Sequence, residues 1–365
     1  MLIITGLFRS GTTLTQKIID SHPNTAVVNQ GMLPILKLID NKITSVNQAH
    51  IGNPLETGWI KNDISYLCHI KNIFINKEEI SIVLDEVKNL AQSSSFLSEY
   101  PGINLYNALK YHLTPCRLDV FFQQIEQSIR YYRGANTEEV VGFKELFGSF
   151  LALPIIDLLG NDIKIVQVIR DPRSILASRN FGKYSNNVKE QYSVYLVAEM
   201  WRKNLLTKLK LEKLHPSSFR SLRYEDLVKE PESSVVSIDN FLGIEFNKSQ
   251  VDPSLFKDEY GAAWKANTSF SLSGGFGTES IDRWKNILPE DVVGVVEYMC
   301  FFEMLAAGYT PLFREEESQK LFQHFTEDER NIRDWIKRSG FILDEKKKNL
   351  EEKRRAAITA NHSPL

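Results

Sequence analysis

Short apolar runs alternate with segments of helical periodicity along much of the chain. Runs rich in β-branched and apolar residues, typical of strands, occupy positions 2–5, 26–28, 140–143, 163–169 and 219–223. Segments expected to be helical follow several of them: 14–19, 151–159 and the segment that begins at Arg173. Strands that alternate with helices form a parallel sheet with both faces covered. The pattern therefore predicts an α/β fold whose ligand site lies beyond the carboxyl ends of the strands.

One long region interrupts this alternation. From about 33 to 135, apolar residues recur at helical spacing, most clearly in 80–90 and 118–129. This spacing predicts a mainly helical insertion, which is a candidate cap over an acceptor site.

The last part of the chain is strongly charged after Pro311. Part of it is expected to pack as a helix, because five apolar residues follow helical spacing: Phe322, Phe325, Ile332, Trp335 and Ile336. The charge-rich stretch 345–355 predicts a solvated helix or a frayed tail. We therefore expect one domain over 1–314, with the insertion inside it, and a charged helical extension over 315–365.

The composition is that of an ordinary globular protein. Hydrophobic residues make up 42% of the 365 positions and charged residues 25%, which is enough for a buried core. The 44 basic and 46 acidic residues leave a formal net charge of −2. Because this balance gives no overall attraction to polyanions, no nucleic-acid partner is expected. The oligomeric state stays open.

Three widely spaced cysteines, Cys68, Cys116 and Cys300, form neither a disulfide framework nor a CxxC metal site. They are typical of ordinary thiols in a reducing compartment. No apolar run reaches the length of a membrane span, and the first residues do not resemble a signal peptide. We therefore expect a cytoplasmic protein without a stable membrane anchor.

A glycine-framed loop lies between the first predicted strand and helix. Gly6 and Gly11 match the glycines of the Walker pattern G-x-x-x-x-G-K-S/T, and Thr13 matches its final hydroxyl residue. Thr12 replaces the lysine, and the cation stands earlier, at Arg9. Backbone amides of such a loop and of the helix N-terminus bind phosphate. The loop therefore predicts a site for one phosphate joined to a charged group that is transferred.

A second cationic motif follows the strand predicted over 163–169. Arg170 stands at the strand end and Ser178 lies eight residues further on, across two predicted helical turns. The guanidinium offers forked donors that suit a phosphate. The pair is therefore a candidate site for a single phosphate, with a solvated arginine as the alternative.

The segment from Arg9 through Ser10, Gly11, Thr12 and Thr13 to Leu14, followed by Asp20-Ser21-His22-Pro23, resembles the donor-binding loop of sulfotransferases. Members of this family use PAPS (3′-phosphoadenosine-5′-phosphosulfate) and release 3′,5′-ADP. The resemblance covers about 2–40 and 140–291. It implies that the loop grips the 5′-phosphosulfate, that Arg9 contacts the transferring group, and that Arg170 and Ser178 hold the 3′-phosphate.

Weaker resemblances implicate two further segments in nucleotide binding. Tyr224 resembles the strand-end tyrosine of the family, and Arg283-Trp284-Lys285 resembles the late segment that closes over the cofactor. By this resemblance Trp284 stacks on the base, and Arg283 or Lys285 holds phosphate. A core aromatic is the alternative for Trp284.

The resemblance also suggests catalytic groups. Lys144, after the strand over 140–143, resembles the lysine that protein-tyrosine sulfotransferases place near the bridging oxygen. Their active-site serine would fall near Ser269, or at Ser271 if the alignment slips. Sulfuryl transfer, like phosphoryl transfer, depends mainly on positioning and charge stabilisation. No metal is expected, because cations can hold the charged oxygens.

The general base is the weakest part of the resemblance. Protein-tyrosine sulfotransferases carry a glutamate shortly after the His-Pro turn, where this chain has Gln30 preceded by Asn29. Neither amide can remove a proton. Glu145 is the nearest alternative in sequence, and His50, His69 and His112 are further candidates.

Two other classes stay open at this point. A P-loop kinase or NTPase needs Mg²⁺ and a loop lysine, and Thr12 in the lysine position argues against it. A non-catalytic nucleotide-binding relative would fit the absence of a glutamate at position 30. The acceptor is open among small molecules, saccharides and peptides. Trp59 and the run Tyr131-Tyr132-Arg133 are candidate sugar or aromatic contacts, or packing residues.

Overall fold

The computed structural model describes residues 1–29, 118–146, 148–178, 192–258, 261–264, 276–332, 334–338 and 340–360. Most of the predicted insertion lies outside these residues. The described residues form two compact units. The first consists of Met1–Ile169 and Thr207–Gly277, and the second of Arg170–Leu206 and Thr278–Leu365.

A five-stranded parallel sheet forms the centre of the first unit. Its strands are β1 (Leu2–Gly6), β2 (Thr25–Asn29), β3 (Val140–Lys144), β4 (Lys164–Ile169) and β5 (Phe219–Arg223). They lie in the order β2-β3-β1-β4-β5, and all four pairings are parallel. The α/β fold predicted from the alternation of strands and helices is therefore confirmed.

The helices of the described residues are numbered here in chain order. They are α1 (Thr12–Asp20), α2 (Leu118–Arg133), α3 (Gly148–Leu159), α4 (Pro172–Leu176), α5 (Val194–Leu214), α6 (Tyr224–Lys229), α7 (Pro231–Leu242), α8 (Trp284–Ile287), α9 (Glu290–Ala306), α10 (Glu315–His324), α11 (Asp334–Arg338) and α12 (Glu345–Ala360). None of the helices in the described part of the chain is long and apolar enough to cross a membrane.

The central strand β1 is buried along its whole length because it has a neighbour on each side. Leu2 and Ile4 are 0% exposed, which is typical of a parallel strand covered on both faces. Each successive parallel pair needs a crossover connection, and these crossovers are right-handed. With β3 between β1 and β2, this rule leads us to expect α1 and α2 on opposite faces of the sheet.

The free edge of β2 is closed by side chains. The Val27 N–H donates to Asp20 Oδ1 at 2.8 Å, and the Val27 carbonyl accepts from Gln16 Nε2 at 2.7 Å. Arg133 pairs with Asp20, with 2.9 Å between Nη2 and Oδ1. Unpaired strand edges are exposed to further strand pairing. These bonds satisfy both backbone groups of Val27 and connect α1 and α2 to the edge of β2.

The charged C-terminal region packs differently from the prediction. Phe322, Phe325, Ile332 and Ile336 are buried, but α10 ends at His324 and α11 begins only at Asp334. Only Phe322 and Ile336 therefore lie in helices, α10 and α11, whereas Phe325 and Ile332 lie in the segment between them. Between them Glu327 accepts hydrogen bonds from Ser193 Oγ and from the N–H groups of Val194 and Leu343.

The stretch 345–355 lies in α12, so it is a helix rather than a frayed tail. The helix is not fully solvated. Glu351 and Arg355 are each 4% exposed. Glu351 accepts from Arg202 at 2.6 Å, and Arg355 pairs with Glu315. Arg202 and Glu315 lie at least forty positions from the residues they pair with, so the sequence of the stretch alone gives no sign of its burial.

A buried lysine in α5 gives a first testable prediction. Lys203 is largely buried, and burial, with a further contribution from Arg202, lowers the pKa of its ammonium to about 8. A lowered folded-state pKa favours folding at high pH, and this contribution is lost as the pH falls through 8. We expect Lys203→Met to raise the free energy of unfolding by about 3 kcal/mol at pH 7. The gain should disappear near pH 10.5.

Urea denaturation of both proteins at pH 7 and pH 10.5 measures this difference. The exposed Lys210 on the same helix gives the control, because Lys210→Met should leave stability unchanged at both pH values. An equal or lower stability of Lys203→Met at pH 7 would show that the ammonium is not penalised by burial.

Candidate active site

The loop between β1 and α1 has an unusual backbone that requires its glycines. Gly6 has a φ of 152° and Gly11 a φ of 102°. A Cβ at Gly6 would lie 2.5 Å from the Val168 carbonyl oxygen. Arg9 also has a positive φ, 64°, and among the described residues it is the only non-glycine with one. Left-handed backbone at a non-glycine residue costs about 1 kcal/mol or more and often marks functional sites.

The hydroxyl of Ser10 is a buried polar group in this loop that has no hydrogen-bond partner among the described residues. The residue is 0% exposed, and its Oγ has no hydrogen-bond partner in the described part of the protein. An unsatisfied buried hydroxyl costs about 1–3 kcal/mol. The first N–H groups of α1 face the same loop, since a helix leaves these donors unpaired within itself. The loop is thus a cradle of donors suited to an anion.

Lys144 brings a cation to the loop from the end of β3. Its side chain is 2% exposed, and Nζ lies 3.4 Å from Thr13 Oγ1 in the first turn of α1. In Mg²⁺-dependent P-loop enzymes, the hydroxyl that closes the loop binds the metal ion. Here an ammonium group stands beside that hydroxyl. Position 12, where the Walker pattern has lysine, holds a threonine, and the lysine beside this loop comes from the end of β3 instead.

Tyr224 packs directly on the loop. It opens α6 at the end of β5, is 6% exposed, and lies over Gly11. A Cβ at Gly11 would lie 2.9 Å from Tyr224 Cε2 and closer still to Cδ2. The structure therefore groups Tyr224, Lys144 and the loop residues at the carboxyl ends of the strands, as the sequence predicts.

Asn29 is a further polar residue at the carboxyl ends of the strands. From the sequence it was noted only as an amide that cannot act as the general base. It ends β2 and is the register partner of Lys144 in the β2–β3 ladder. Its residue exposure is 9%, and its Oδ1 has no hydrogen-bond partner within the described ranges. The sequence does contain one feature that could have identified Asn29 as a site residue: it is a polar residue directly after the apolar run Ala26-Val27-Val28.

Glu145, the candidate base, is fully buried. Its Oε1 accepts the Leu146 N–H at 2.8 Å, and its own N–H donates to the Ile4 carbonyl at 2.8 Å. A catalytic role for Glu145 stays a prediction. The other proposed catalytic positions lie outside the described residues: His50, His69, His112, Ser269 and Ser271. Gln30, which stands where related enzymes have a glutamate, also lies outside them.

His22, in the His-Pro turn that supports the resemblance, has a structural position. Its Nδ1 accepts the Asn24 N–H at 3.0 Å, so its Nε2 carries the proton and donates to the Glu245 carbonyl at 2.8 Å. Both ring nitrogens are thereby used inside the first unit.

The second unit contains the residues predicted for the 3′-phosphate and the late segment. Arg170 Nη2 donates to the Ser280 carbonyl at 2.8 Å, and the Arg170 carbonyl accepts from Trp201 Nε1 at 2.8 Å. Ser174 Oγ donates to the Ile281 carbonyl at 2.8 Å. These bonds tie Arg170 and Ser174 to the segment just before Arg283.

Ser178 follows α4 and is half-buried, and its phosphate role stays a prediction.

Trp284 lies in the core of the second unit. It is 3% exposed and packs against Ala177 and Val293. The guanidinium carbon of Arg173 lies 3.9 Å from its ring centroid, a cation–π distance. Arg173 Nη1 is also held by Glu297 Oε1 at 2.5 Å. This burial is what the core-aromatic alternative predicts, and stacking of Trp284 on a base stays a prediction.

The two cations beside Trp284 differ in exposure. Lys285 is exposed and pairs with Asp282 at 2.8 Å, whereas Arg283 is half-buried and precedes α8. Phosphate binding by either residue stays a prediction.

A cavity of about 650 Å³ lies at the C-terminal end of α1 in the first unit, and Lys17, Asp20, Tyr132 and Arg133 help to line it. Two of the residues considered as sugar or aromatic contacts therefore reach a cavity, whereas Tyr131 is 59% exposed. Burial raises the pKa of the Asp20 carboxyl, although Arg133 opposes the shift. Trp59 lies outside the described residues.

Metal ligands are not grouped in the described parts of the chain. No three His, Cys, Asp or Glu side chains among those residues lie close enough together to hold a metal ion.

Comparison with known proteins identifies the family. The sequence profile described as "Sulfotransferase family" matches residues 2–248, more than half of the chain. The chain belongs to this family. The match spans the loop at Arg9, the Lys144 strand and Arg170, and it stops before the segment at Trp284.

Curated relatives share only part of their length with this chain. Carbohydrate sulfotransferase 1 of Rattus norvegicus is 25% identical over 179 residues, 43% of this chain and 41% of that protein. Carbohydrate sulfotransferase 6 of Homo sapiens is 22% identical over 218 residues, 55% of this chain and 54% of that protein. The chain thus spans about half the length of the relatives it matches.

A solved structure with the same fold is the sulfotransferase domain from the Synechococcus PCC 7002 olefin synthase. Its TM-score is 0.51 at 14% sequence identity, over 85% of this chain and 94% of that domain. At this identity the likeness concerns the fold alone.

Proposed function

We propose that this protein is a sulfotransferase that moves a sulfuryl group from PAPS to a hydroxyl or amine acceptor. The observation that carries the proposal is the buried Ser10 Oγ without a partner in the described structure, inside a glycine-framed loop at the N-terminus of α1. The orphaned hydroxyl fits a bound anion. Glycine at positions 6 and 11 lets the loop pass close to the Val168 carbonyl and the Tyr224 ring, where a side chain would clash.

PAPS, when bound, supplies an activated sulfuryl group on its 5′-phosphate. Ser10 Oγ and the first N–H groups of α1 donate hydrogen bonds to the phosphosulfate oxygens. Arg9 contacts the sulfonate, as the family resemblance implies. Lys144 stabilises the negative charge that develops on the bridging oxygen as the sulfur–oxygen bond breaks. Its ammonium takes the part that Mg²⁺ plays in P-loop kinases.

The rival assignment to an ATP-dependent P-loop enzyme makes a different prediction. Such an enzyme needs Mg²⁺ to bridge the phosphates, whereas charge neutralisation by Lys144 and Arg9 needs no metal. Transfer of ³⁵S from labelled PAPS in the presence of EDTA separates the two. The non-catalytic alternative predicts nucleotide binding without any transfer.

A saccharide hydroxyl is the first acceptor class to test, because two curated relatives are named carbohydrate sulfotransferases. The assay is transfer of ³⁵S to a panel of monosaccharides and phenols, with release of labelled sulfate to water measured in parallel. A cytoplasmic location also belongs to the proposal and is supported by the three dispersed cysteines.

Arg170 provides a test of the 3′-phosphate assignment. A charge-assisted hydrogen bond contributes about 1.5–3 kcal/mol. We therefore expect Arg170→Ala to reduce the preference for 3′,5′-ADP over 5′-AMP about 10- to 100-fold, measured by calorimetric titration of both nucleotides.

The control is Arg220→Ala, since Arg220 is an exposed arginine on β5 whose Nη2 lies 3.3 Å from Ser237 Oγ. It should leave the preference unchanged. If Arg170→Ala also leaves it unchanged, the 3′-phosphate is held elsewhere.

A further inference from the structure

A buried amide oxygen at the end of β2 is left without a hydrogen-bond partner. Asn29 is 9% exposed, and its Oδ1 has no partner among the described residues. Native proteins leave few buried polar atoms unsatisfied. Like Ser10 Oγ, this atom carries an energetic cost in the free protein. A ligand that supplies the missing partner would remove that cost.

The sheet register directs this side chain to the donor loop. Asn29 and Lys144 are register partners in a parallel ladder, so their side chains leave the sheet on the same face. Neighbouring strands lie about 4.8 Å apart. Lys144 Nζ reaches Thr13 at the start of α1, so this face is the one that α1 covers. The Asn29 amide therefore lies beside the Lys144 side chain, next to the loop that contains Ser10.

The chemistry of the two orphaned atoms differs. A serine hydroxyl can donate its proton to an anionic oxygen, whereas an amide oxygen only accepts. The ionised phosphosulfate group offers acceptors and no donors. It can satisfy Ser10 Oγ but not Asn29 Oδ1. The partner of Asn29 must carry an O–H or N–H group. In PAPS such groups belong to the ribose and the adenine, away from the phosphosulfate, whereas the sulfuryl acceptor brings its O–H or N–H group to the phosphosulfate itself.

We propose that Asn29 Oδ1 accepts a hydrogen bond from the hydroxyl or amine of the sulfuryl acceptor and points the acceptor's lone pair at sulfur. This inference rests on the proposed function. In the step, a bond forms between the acceptor oxygen or nitrogen and sulfur. The bond between sulfur and the bridging oxygen breaks, and 3′,5′-ADP keeps the electron pair. The acceptor proton leaves to solvent, because the amide orients it without removing it.

Two substitutions at this position separate orientation from a structural role. Asn29→Leu keeps the branched shape of the side chain, with bulkier methyl groups, and removes the hydrogen-bond acceptor, whereas Asn29→Asp keeps an oxygen acceptor. Ser318 provides the matched control: its Oγ is also buried without a partner in the described structure, but on α10 in the second unit. Ser318→Ala therefore removes an orphaned oxygen that no step uses.

Three quantities are measured for each variant and for the wild-type protein: the thermal unfolding midpoint, the Kd for 3′,5′-ADP, and ³⁵S transfer from PAPS. The transfer probes are N-acetylglucosamine, 4-nitrophenol and water.

We expect Asn29→Leu to unfold at or above the wild-type midpoint and to bind 3′,5′-ADP with a Kd within about 2-fold of the wild-type value. Its kcat/KM for the probe used by the wild-type protein should fall about 10- to 100-fold. Asn29→Asp should retain at least about a third of the rate, and Ser318→Ala all of it.

Two results would overturn this role for Asn29. One is an unfolding midpoint of Asn29→Leu more than about 4 °C below wild type, which would show that the amide supports the fold. The other is normal transfer by Asn29→Leu, or no transfer to any probe by a wild-type protein that binds 3′,5′-ADP. If the wild-type protein does not bind 3′,5′-ADP, the proposed function itself fails, and the inference fails with it.

Discussion

Lys144→Met is expected to lower kcat about 100- to 1,000-fold, the range found when one preorganised group that stabilises transition-state charge is removed. The Nζ of Lys144 lies 3.4 Å from Thr13 Oγ1, at the mouth of the loop. Charge on the bridging oxygen grows only as the sulfur bond breaks, so the ammonium acts mainly in the transition state. The Kd for 3′,5′-ADP should therefore change by less than about 10-fold. Methionine keeps the volume of this 2% exposed side chain.

Lys164→Met is the control for this experiment. Lys164 begins β4 at the opposite end of the sheet, and its Nζ donates to the Ser217 carbonyl at 2.6 Å. Its replacement should leave kcat unchanged. A Lys144→Met protein that binds 3′,5′-ADP normally and keeps full kcat would remove Lys144 from the catalytic machinery.

Gly11→Ala is expected to weaken binding of 3′,5′-ADP at least about 100-fold, since under the proposed function the affected loop provides the donors that hold the 5′-phosphate. The φ of Gly11 is 102°, and a Cβ there would lie 2.9 Å from Tyr224 Cε2. Real Cβ atoms do not approach an aromatic carbon so closely, so the loop or the tyrosine must move. A displacement of the loop misdirects Ser10 and the first N–H groups of α1.

Gly243→Ala separates backbone strain from this clash. Gly243 follows α7 with a φ of 78°, and a Cβ there would meet nothing within 4 Å. Both variants should lose about 1 kcal/mol of stability from left-handed backbone, and Gly11→Ala should lose more because of its contact with Tyr224. Only Gly11→Ala should lose nucleotide affinity. Equal affinities in calorimetric titration would mean that the loop does not hold the nucleotide.

The fold is predictable from the sequence because each strand is a compact apolar run between turn-forming residues. The prediction for 219–223 coincides with β5. Helix α1 begins at Thr12, two residues before the first apolar position, because its polar first turn carries no hydrophobic period. Strand β2 extends to Asn29 for a similar reason: parallel pairing with β3, rather than side-chain type, sets the strand end.

The site is predictable only where a motif carries it. The loop from Gly6 to Thr13 was visible as a spacing of glycines and hydroxyls, and Lys144 as the residue at a strand end. The orphaned state of Ser10 Oγ and Asn29 Oδ1 was not visible, because a missing hydrogen bond depends on every neighbouring atom. The packing of Arg173 over Trp284 was also not visible. It depends on the bond from Arg173 to Glu297, and these two residues are 124 positions apart.

The most direct measurement of the central claim is calorimetric titration of the wild-type protein with 3′,5′-ADP, 5′-AMP and ATP in the presence of EDTA. The geometry of the Ser10 loop predicts tight binding of 3′,5′-ADP. The 3′-phosphate contact proposed for Arg170 predicts that 5′-AMP binds more weakly by at least about 10-fold, the contribution of one charge-assisted phosphate contact. ATP should bind weakly and gain nothing from added Mg²⁺. No binding of 3′,5′-ADP, or a preference for ATP with Mg²⁺, would contradict the assignment of this protein as a PAPS-dependent enzyme.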